Sequence, residues 1–93
     1  MKKRIVWTDS SLIDLQLIHD YISYDAETYA PVFISELMDK VETLLEFPEI
    51  GKMVPERDSK NIREIFFSSY RIIYKISNDG IEIVSVLHQR MKL

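Results

Sequence analysis

Two stretches of the chain repeat apolar residues at steps of three and four, which is the spacing of one helix face. The first stretch predicts a helix over roughly 10–24, with Ser11 and Asp14 forming a capping box at its start. The second predicts an antiparallel neighbouring helix, capped by Thr28 because Pro31 suits a first turn, and ended by Phe47-Pro48. The two stripes are Leu12, Leu15, Ile18 and Ile22, then Ala30, Ile34, Leu37, Val41 and Leu44.

Other segments alternate apolar and polar residues with a period of two, which predicts strands. Between the second helix and the later strands, residues 48–60 contain two prolines and mixed charges, which predicts a loop. Asn78-Asp79-Gly80 predicts a tight hairpin turn because these residue types tolerate positive φ. The predicted strands cover residues 3–7, 61–67, 70–77 and 81–88. The expected fold is α+β: an N-terminal strand, an antiparallel helical hairpin and a three-strand antiparallel meander in one sheet, with the helices on one face.

Alternation in the last two strands predicts which side chains share a face of the sheet. A two-residue turn between the strands places odd positions of the first beside even positions of the second. The predicted open face carries Arg71, Lys75, Glu82 and His88, and Arg90 continues it. The face under the helices is predicted to carry Ile72, Tyr74, Ile76, Ile81, Ile83 and Leu87.

The predicted open face contains the groups that an RNA-cleaving site requires. Arginine binds phosphate through paired hydrogen bonds, histidine donates a proton near pH 7, and a carboxylate acts as a base. Arg71, His88 and Arg90, with Glu56 in the neighbouring loop, form such a set. The alternative is solvated charge on an exposed sheet face, with Arg71 and Glu64 paired across strands.

Length and composition limit the possible functions. Ninety-three residues predict one domain over 1–93, and the absence of cysteine excludes disulfide scaffolds, thiolate metal sites and cysteine catalysis. His19 has no metal-ligand partner at helical spacing, and the chain has no glycine-rich phosphate loop, so neither a metal nor a cofactor is expected. No apolar segment is long enough for a signal peptide or a membrane span, which predicts a soluble, cytoplasmic protein without a membrane partner.

The charge is unevenly distributed along the chain. Residues 5–47 contain nine acidic residues and one basic residue, for a net charge of −8, whereas the whole chain carries −3. Proteins that grip RNA usually show a large basic surplus, and this chain does not. Three tyrosines, Tyr21, Tyr24 and Tyr29, lie near the turn between the helices, where an exposed aromatic patch is one interpretation.

The short motifs of this chain, and their order along it, resemble the RelE/ParE superfamily of bacterial toxins, and most closely its ParE, plasmid-stabilisation branch. They extend over about 90 residues, but the chain has Ser11 where the family usually has alanine, and Pro31 inside the second helix. The matching residues are Trp7, Asp14-Leu15, Ile18, Tyr21-Ile22, Phe33, Leu37, Pro48-x-x-Gly51, Pro55-Glu56, Arg63-Glu64, Tyr70-Arg71-Ile72-Ile73-Tyr74 and Val86-Leu87-His88-Gln89-Arg90.

The resemblance implies a toxin of a type II toxin–antitoxin system, held in a hetero-oligomer by a cognate antitoxin protein. ParE-like members poison DNA gyrase without catalysis, whereas RelE-like members cleave mRNA in the ribosome. In the nuclease interpretation Glu56, Arg71 and His88 are catalytic, but the terminal His-Tyr pair of one nuclease branch is missing. In the favoured gyrase interpretation the target-binding residues are Arg63, Arg71, Lys75, His88 and Arg90. A toxin-like fold that serves only as a binding module is the third interpretation.

Overall fold

The computed structural model describes residues 2–93 and contains two helices and five strands. The order of elements is β1, α1, α2, β2, β3, β4 and β5, with a short 3-10 turn, Thr43–Leu45, directly after α2. The helices are α1 (Asp9–Asp25) and α2 (Ala30–Glu42). The strands are β1 (Arg4–Trp7), β2 (Lys52–Met53), β3 (Ile62–Phe67), β4 (Tyr70–Ser77) and β5 (Gly80–His88).

All five strands form one sheet in the order β1-β5-β4-β3-β2. The meander β3-β4-β5 is antiparallel as predicted, while β1 pairs in parallel with β5 at the opposite edge from β2. The α+β fold is therefore confirmed, with one strand more than predicted. Two residues within the predicted loop, Lys52 and Met53, form β2, which is too short to show a two-residue period.

The hydrophobic core lies between the helices and one face of the sheet. The helix α2 buries most of the apolar stripe that was predicted for it. Ile34 of that stripe is only half-buried, and Phe33 is buried instead. The helix α1 buries only Ser11, Leu15 and Ile18. The core cluster comprises Leu15, Ile18, Phe33, Leu37, Val41, Leu44, Ile65, Ile72, Tyr74, Ile81, Ile83 and Val86.

The predicted capping box of Ser11 and Asp14 does not form, and the N-cap of α2 is not the predicted Thr28. The hydroxyl of Thr8 caps α1 by accepting from the Ser11 N–H at 3.2 Å, and the buried Ser11 hydroxyl donates to the Thr8 carbonyl at 2.8 Å. Asp14 therefore plays no part in a capping box. The N-cap of α2 is Tyr29 rather than Thr28, and it makes no side-chain capping bond.

A β-bulge in β5 changes the predicted faces of the sheet. The register shifts between Ile73 and Tyr74, so that Tyr74 pairs with Ile83 but Ile73 pairs with Ser85. Lys75 and Glu82 pair as predicted, whereas Arg71 pairs with Leu87 and His88 pairs with Tyr70. The predicted placement of His88 beside Arg71, and of Leu87 under the helices, is wrong because one extra residue reverses the alternation beyond the bulge.

The carboxylate of Asp14 stabilises this bulge from α1. One of its oxygens accepts from the Val86 N–H at 2.9 Å and from the Ser85 hydroxyl at 3.1 Å. An Asp side chain within a helix thus supplies hydrogen bonds to the irregular strand, which satisfies polar groups that the core would otherwise leave unpaired.

Within residues 2–93, neither helix combines the length and the apolar character that a bilayer span needs.

Candidate functional site

A buried ion cluster lies on the open face of the sheet, on the side away from the helices. Arg71 on β4 is at its centre and is only 6% exposed, and Glu64 on β3 is 3% exposed. The Arg71 Nε donates to Glu64 Oε1 at 2.6 Å, while Nη1 and Nη2 donate to the two carboxylate oxygens of Glu56 at 2.9 and 2.8 Å. The pair with Glu64 was expected as the alternative to a functional site, but both groups are buried rather than solvated.

The C-terminal segment after β5 closes over this cluster. The carbonyl of Met91 accepts from Arg71 Nη1 at 2.9 Å, and the N–H of Leu93 donates to Glu56 Oε2 at 2.9 Å. All three nitrogens of the Arg71 guanidinium therefore have a partner within the chain. These backbone contacts were not predicted, because the sequence of the last residues shows no pattern that fixes their path.

The loop that carries Glu56 is anchored by side chains of β3 and β4. The Tyr74 hydroxyl is buried, donates to the Pro48 carbonyl at 2.7 Å and accepts from the Gly51 N–H at 3.0 Å. Arg63 donates to the carbonyls of Gly51 and Lys60, both at 2.9 Å. Gly51 has no space for a side chain, since a Cβ would lie 2.5 Å from the Tyr74 hydroxyl oxygen. These contacts hold Glu56 against Arg71.

The ion pairs change the acid–base properties of the cluster. The hydrogen bonds from Arg71, supported by the Leu93 N–H, lower the pKa of Glu56 to about 2. The Glu56 hydrogen bonds in turn raise the pKa of Arg71. A carboxylate whose pKa is about 2 is a weak base at neutral pH, because general bases work best when their pKa lies near the operating pH. Burial raises the pKa of the Tyr74 hydroxyl.

The low pKa of Glu56 predicts a pH dependence of stability. Its folded pKa of about 2 lies below the ordinary value of 4.5, so its contribution is present above about pH 4.5 and is lost as the pH falls towards 2. We expect the variant Glu56→Gln to be less stable than the wild type at pH 7, and the difference to shrink below about pH 4.5. Urea unfolding at a series of pH values measures this, and a constant difference from pH 7 to pH 3 would contradict it.

A shallow cavity of about 520 Å³ adjoins the cluster, and its walls include Glu56, Arg71, Arg90 and Lys92. Arg90 and Lys92 are exposed, and no acidic residue within 2–93 forms an ion pair with either. The cavity thus presents two exposed cations, Arg90 and Lys92, beside an arginine that is already paired with two carboxylates. Such cations attract an anionic or acidic surface of another molecule.

The structure brings Glu56, Arg71 and Arg90 together and separates the other predicted site residues from them. Arg63 pairs with the core residue Tyr74, so it lies on the helix side of the sheet and holds the loop. His88 also lies on the helix side, where its ring meets Tyr70 edge-on with the centroids 5.9 Å apart. Lys75 shares the open face with Arg71 but is four residues along β4, which corresponds to about 13 Å.

No group of three or more His, Asp or Glu side chains within the described residues 2–93 is placed to hold a metal ion.

The sequence profile of the ParE toxin of the type II toxin–antitoxin system parDE matches residues 5–93. The chain belongs to the ParE toxin family. A curated relative in Sinorhizobium fredii, named "Putative toxin Y4kP", is 36% identical over 94% of this chain and 88% of its own length. A second relative, Toxin RelE2 of Caulobacter vibrioides, is 29% identical over 91% of this chain and 93% of its own length.

Solved structures share the fold of this ParE-family toxin. The chromosomal ParDE toxin–antitoxin system of Pseudomonas aeruginosa contains a chain that matches with a TM-score of 0.78 at 16% identity, covering 94% of this chain and 96% of that one. The RelBE2 toxin–antitoxin complex of Mycobacterium tuberculosis matches with a TM-score of 0.55 at 19% identity, covering 95% and 99%. At these identities the match concerns the fold alone. The match to the ParE toxin family confirms the predicted membership of the RelE/ParE superfamily. The similar proteins include some that are named after ParE and some that are named after RelE.

Proposed function

We propose that this toxin acts by binding DNA gyrase rather than by cleaving RNA, and that a cognate antitoxin neutralises it in a hetero-oligomer. Membership of the ParE family supports the antitoxin partner, since the matching family and the similar solved structures are toxin–antitoxin systems. The gyrase target follows from the resemblance to the ParE branch.

The observation that carries the non-catalytic part of the proposal is the state of Arg71. An RNA-cleaving site needs a cation that is free to bind the phosphate, since catalysis depends on donors aimed at the developing charge. Here all three guanidinium nitrogens already donate to Glu56, Glu64 or the Met91 carbonyl. To bind a phosphate through Nη1 and Nη2, Arg71 would have to give up its hydrogen bonds to Glu56 and to the Met91 carbonyl, which leaves the Glu56 carboxylate without its cation.

The positions of the other two proposed catalytic groups support the same conclusion. Glu56 would be the base, but its pKa is about 2. His88 would be the acid, but its strand position puts it on the face opposite Arg71. A base, a cation and an acid on one surface are therefore not available in this arrangement, and binding through exposed cations such as Arg90 remains the better-supported activity.

Two observations favour the alternative, a ribosome-dependent mRNA endonuclease. Glu56 and Arg71 are in direct contact, and a relative of similar length bears the name RelE2. This function requires the C-terminal segment to leave the cluster, so that Arg71 and Glu56 become accessible.

Pulse labelling distinguishes the two functions. Minutes after the chain is induced in bacteria without its antitoxin, thymidine and methionine incorporation are followed in parallel. We expect thymidine incorporation to stop first, because gyrase inhibition blocks replication. If methionine incorporation stops first, the gyrase proposal is wrong and the ribosome is the target. If neither changes, the chain is a binding module without toxic activity.

Two variants locate the binding surface in the same assay. Arg90→Ala removes an exposed cation beside the cavity, and we expect slower loss of thymidine incorporation at equal protein levels. Lys60→Ala removes a cation that is also exposed but does not line this cavity, so it serves as the matched control. Equal toxicity of both variants would argue against this surface.

A further inference from the structure

The side chain of Phe66 is an exposed aromatic ring on the open face of the sheet. Phe66 on β3 pairs with Arg71 on β4, and residues that pair across antiparallel strands share a face, so the ring lies beside the ion cluster. It is 44% exposed, although burial of an aromatic ring is strongly favourable. The ring forms part of the walls of two cavities. One is the cavity of about 520 Å³ beside the cluster, and the other, of about 360 Å³, lies between the end of α2 and the strands β2 and β3.

Two more exposed apolar side chains extend this ring into a patch. Pro55 and Met91 lie in the wall of the larger cavity together with Phe66, and Met91 is 56% exposed. The backbone of Met91 is held in place, because its carbonyl accepts a hydrogen bond from the buried Arg71. Pro55, Phe66 and Met91 therefore form an apolar patch that is open to solvent and fixed to the ion cluster beneath it.

Basic residues surround this apolar patch, although the chain as a whole has a net charge of −3. The walls of the two cavities contain five basic residues against two carboxylates, and both carboxylates bind the buried Arg71. Phe66, which both cavities share, lies between two pairs of exposed cations. An apolar patch with a charged rim is typical of an interaction site, and this rim attracts an acidic partner. The pairs are Lys40 and Lys52 in one cavity, and Arg90 and Lys92 in the other.

We propose that Phe66 is the central contact of a surface that binds an acidic segment of a partner protein. An aromatic side chain of this segment packs against the apolar patch, where ring pairs and the Met91 sulfur stabilise it beyond the area that it buries. Carboxylates on both sides of that side chain bind the two pairs of cations. The inference rests on the proposed function, since it takes the surface beside the cluster as the one that binds a protein target.

Two features favour an acidic protein segment over single-stranded nucleic acid. Proteins that bind single strands stack successive bases on several exposed rings along a basic groove. Phe66 is the only aromatic residue in the walls of the two cavities. One face of its ring is already covered, because Lys52 Nζ lies 5.3 Å from the ring centroid. One partly covered ring gives successive bases little to stack on, whereas it suffices for one aromatic side chain.

A second copy of this chain is a poor occupant of the same surface. A two-fold interface presents identical surfaces to each other. The exposed cations Lys52, Arg90 and Lys92 of one copy would then face those of the other, and like charges repel each other.

A peptide titration tests the chemistry of the segment. The peptide acetyl-Asp-Asp-Phe-Asp-Asp-amide is added to the isotope-labelled full chain, and amide chemical shifts report both the affinity and the location. We expect saturable shifts at Lys52, Phe66 and Met91, none at the exposed Val32 of α2, and weaker binding as NaCl is added. Alanine in place of the peptide phenylalanine should weaken binding about tenfold or more. Asparagines in place of the aspartates should weaken it about tenfold. Equal binding of the alanine peptide would overturn the proposal.

Protein variants with matched controls test the contact from the other side. Phe66→Ala should weaken peptide binding about tenfold or more. Met53→Ala should leave binding within about twofold, because Met53 is also 44% exposed but pairs with Arg63 and lies outside both cavities. Lys52→Ala combined with Arg90→Ala should weaken binding about tenfold and reduce its salt dependence, since two exposed ion pairs are lost. The same effect of Phe66→Ala and Met53→Ala would contradict a central role of the ring.

Two further probes cover the other occupants of the surface. The single-stranded RNA heptauridylate is titrated in the same way, and we expect it to bind more weakly than the peptide. Tighter binding of the RNA at the same amides would assign the surface to nucleic acid and overturn the proposal. Sedimentation velocity of the free chain is expected to show no association that depends on Phe66. A dimer that Phe66→Ala dissociates would assign the surface to a second copy instead.

Pulse labelling in bacteria connects this surface to toxicity and separates the two proposals. At equal protein levels, we expect thymidine incorporation to fall more slowly with Phe66→Ala than with Met53→Ala or the wild type. If Phe66→Ala stops thymidine incorporation as fast as the wild type, this inference is wrong while the gyrase proposal stands. If methionine incorporation stops first in the wild type, the proposed function itself is wrong, whatever the peptide binds.

Discussion

Replacement of Arg71 by methionine is expected to lower the free energy of unfolding by about 3–5 kcal/mol, because it leaves the buried Glu64 carboxylate with only the Lys52 ammonium, 3.9 Å away, as an ionic partner. Glu64 is 3% exposed, and its short hydrogen bond from Arg71 Nε would be lost. Methionine fills part of the same volume, so the loss reflects the unpaired charge more than a cavity. Urea unfolding at pH 7, followed by circular dichroism, measures the difference.

The double variant Arg71→Met, Glu64→Leu serves as the control for this explanation. It removes both buried charges, and replacing a whole buried ion pair by apolar residues is far less destabilising than breaking it. We therefore expect the double variant to recover part of the stability lost in Arg71→Met. Arg90→Ala, at an exposed position, should change stability by no more than about 0.5 kcal/mol. If the double variant is less stable than Arg71→Met, the buried charge is not the cause.

This result also governs how toxicity of Arg71 variants is interpreted. A variant that unfolds loses toxicity whatever the role of the side chain. Loss of toxicity in Arg71→Met is informative only beside the double variant, which is expected to recover part of the stability without restoring the guanidinium. Arg90→Ala does not have this difficulty because Arg90 is exposed and outside the ion pairs.

Gly80→Ala is expected to destabilise the protein by about 2–6 kcal/mol, which combines backbone strain with a steric clash. Gly80 starts β5 at a φ of 137°, a region that other L-residues rarely adopt. An added Cβ would lie 2.2 Å from the Arg4 carbonyl oxygen, so β1 would have to move away from β5. Urea unfolding measures the stability, and amide hydrogen exchange at Val6 reports whether β1 is still paired.

Asp79→Ala is the matched control, since it changes the preceding residue of the same turn. Asp79 is exposed and its backbone carbonyl, which accepts from the Arg4 N–H at 3.1 Å, is retained. We expect a loss of no more than about 1 kcal/mol, from the turn preference of aspartate alone. A similar loss in both variants would show that the turn, rather than the contact with β1, determines the effect.

Local pattern was sufficient for most of the elements. The meander was predictable because Asn78-Asp79 forms a two-residue turn, closed by pairing of Ser77 with Gly80, and because alternation continues on both sides of it. The helices were predictable from their apolar stripes. The stripe residues Leu15, Ile18, Leu37 and Val41 are indeed buried in the core. Each of these features depends on residues close together in sequence, so the pattern along the chain contains the information.

The candidate site was only partly predictable for the same reason. Glu56 and Arg71 were singled out by residue type and by the resemblance to a toxin family, and they are in contact. His88 was assigned to the wrong face because a bulge in β5 reverses the alternation, and the Asp14 carboxylate that binds this bulge is 72 residues away from Val86 along the chain. The role of Arg63 in target binding stays a prediction, whereas its hydrogen bonds to two loop carbonyls could not be predicted from the sequence.

The sequence by itself therefore determined the class of fold, the hairpin and the toxin superfamily, because these depend on periodicity, turn chemistry and ordered motifs. Only the tertiary structure decided which partners the charged side chains bind. The hydrogen bonds of the Met91 carbonyl and the Leu93 N–H to the cluster, like the bulge bonded to Asp14, join residues far apart in sequence. Backbone groups are chemically alike at every position, so no residue pattern marks which of them will bind a distant side chain.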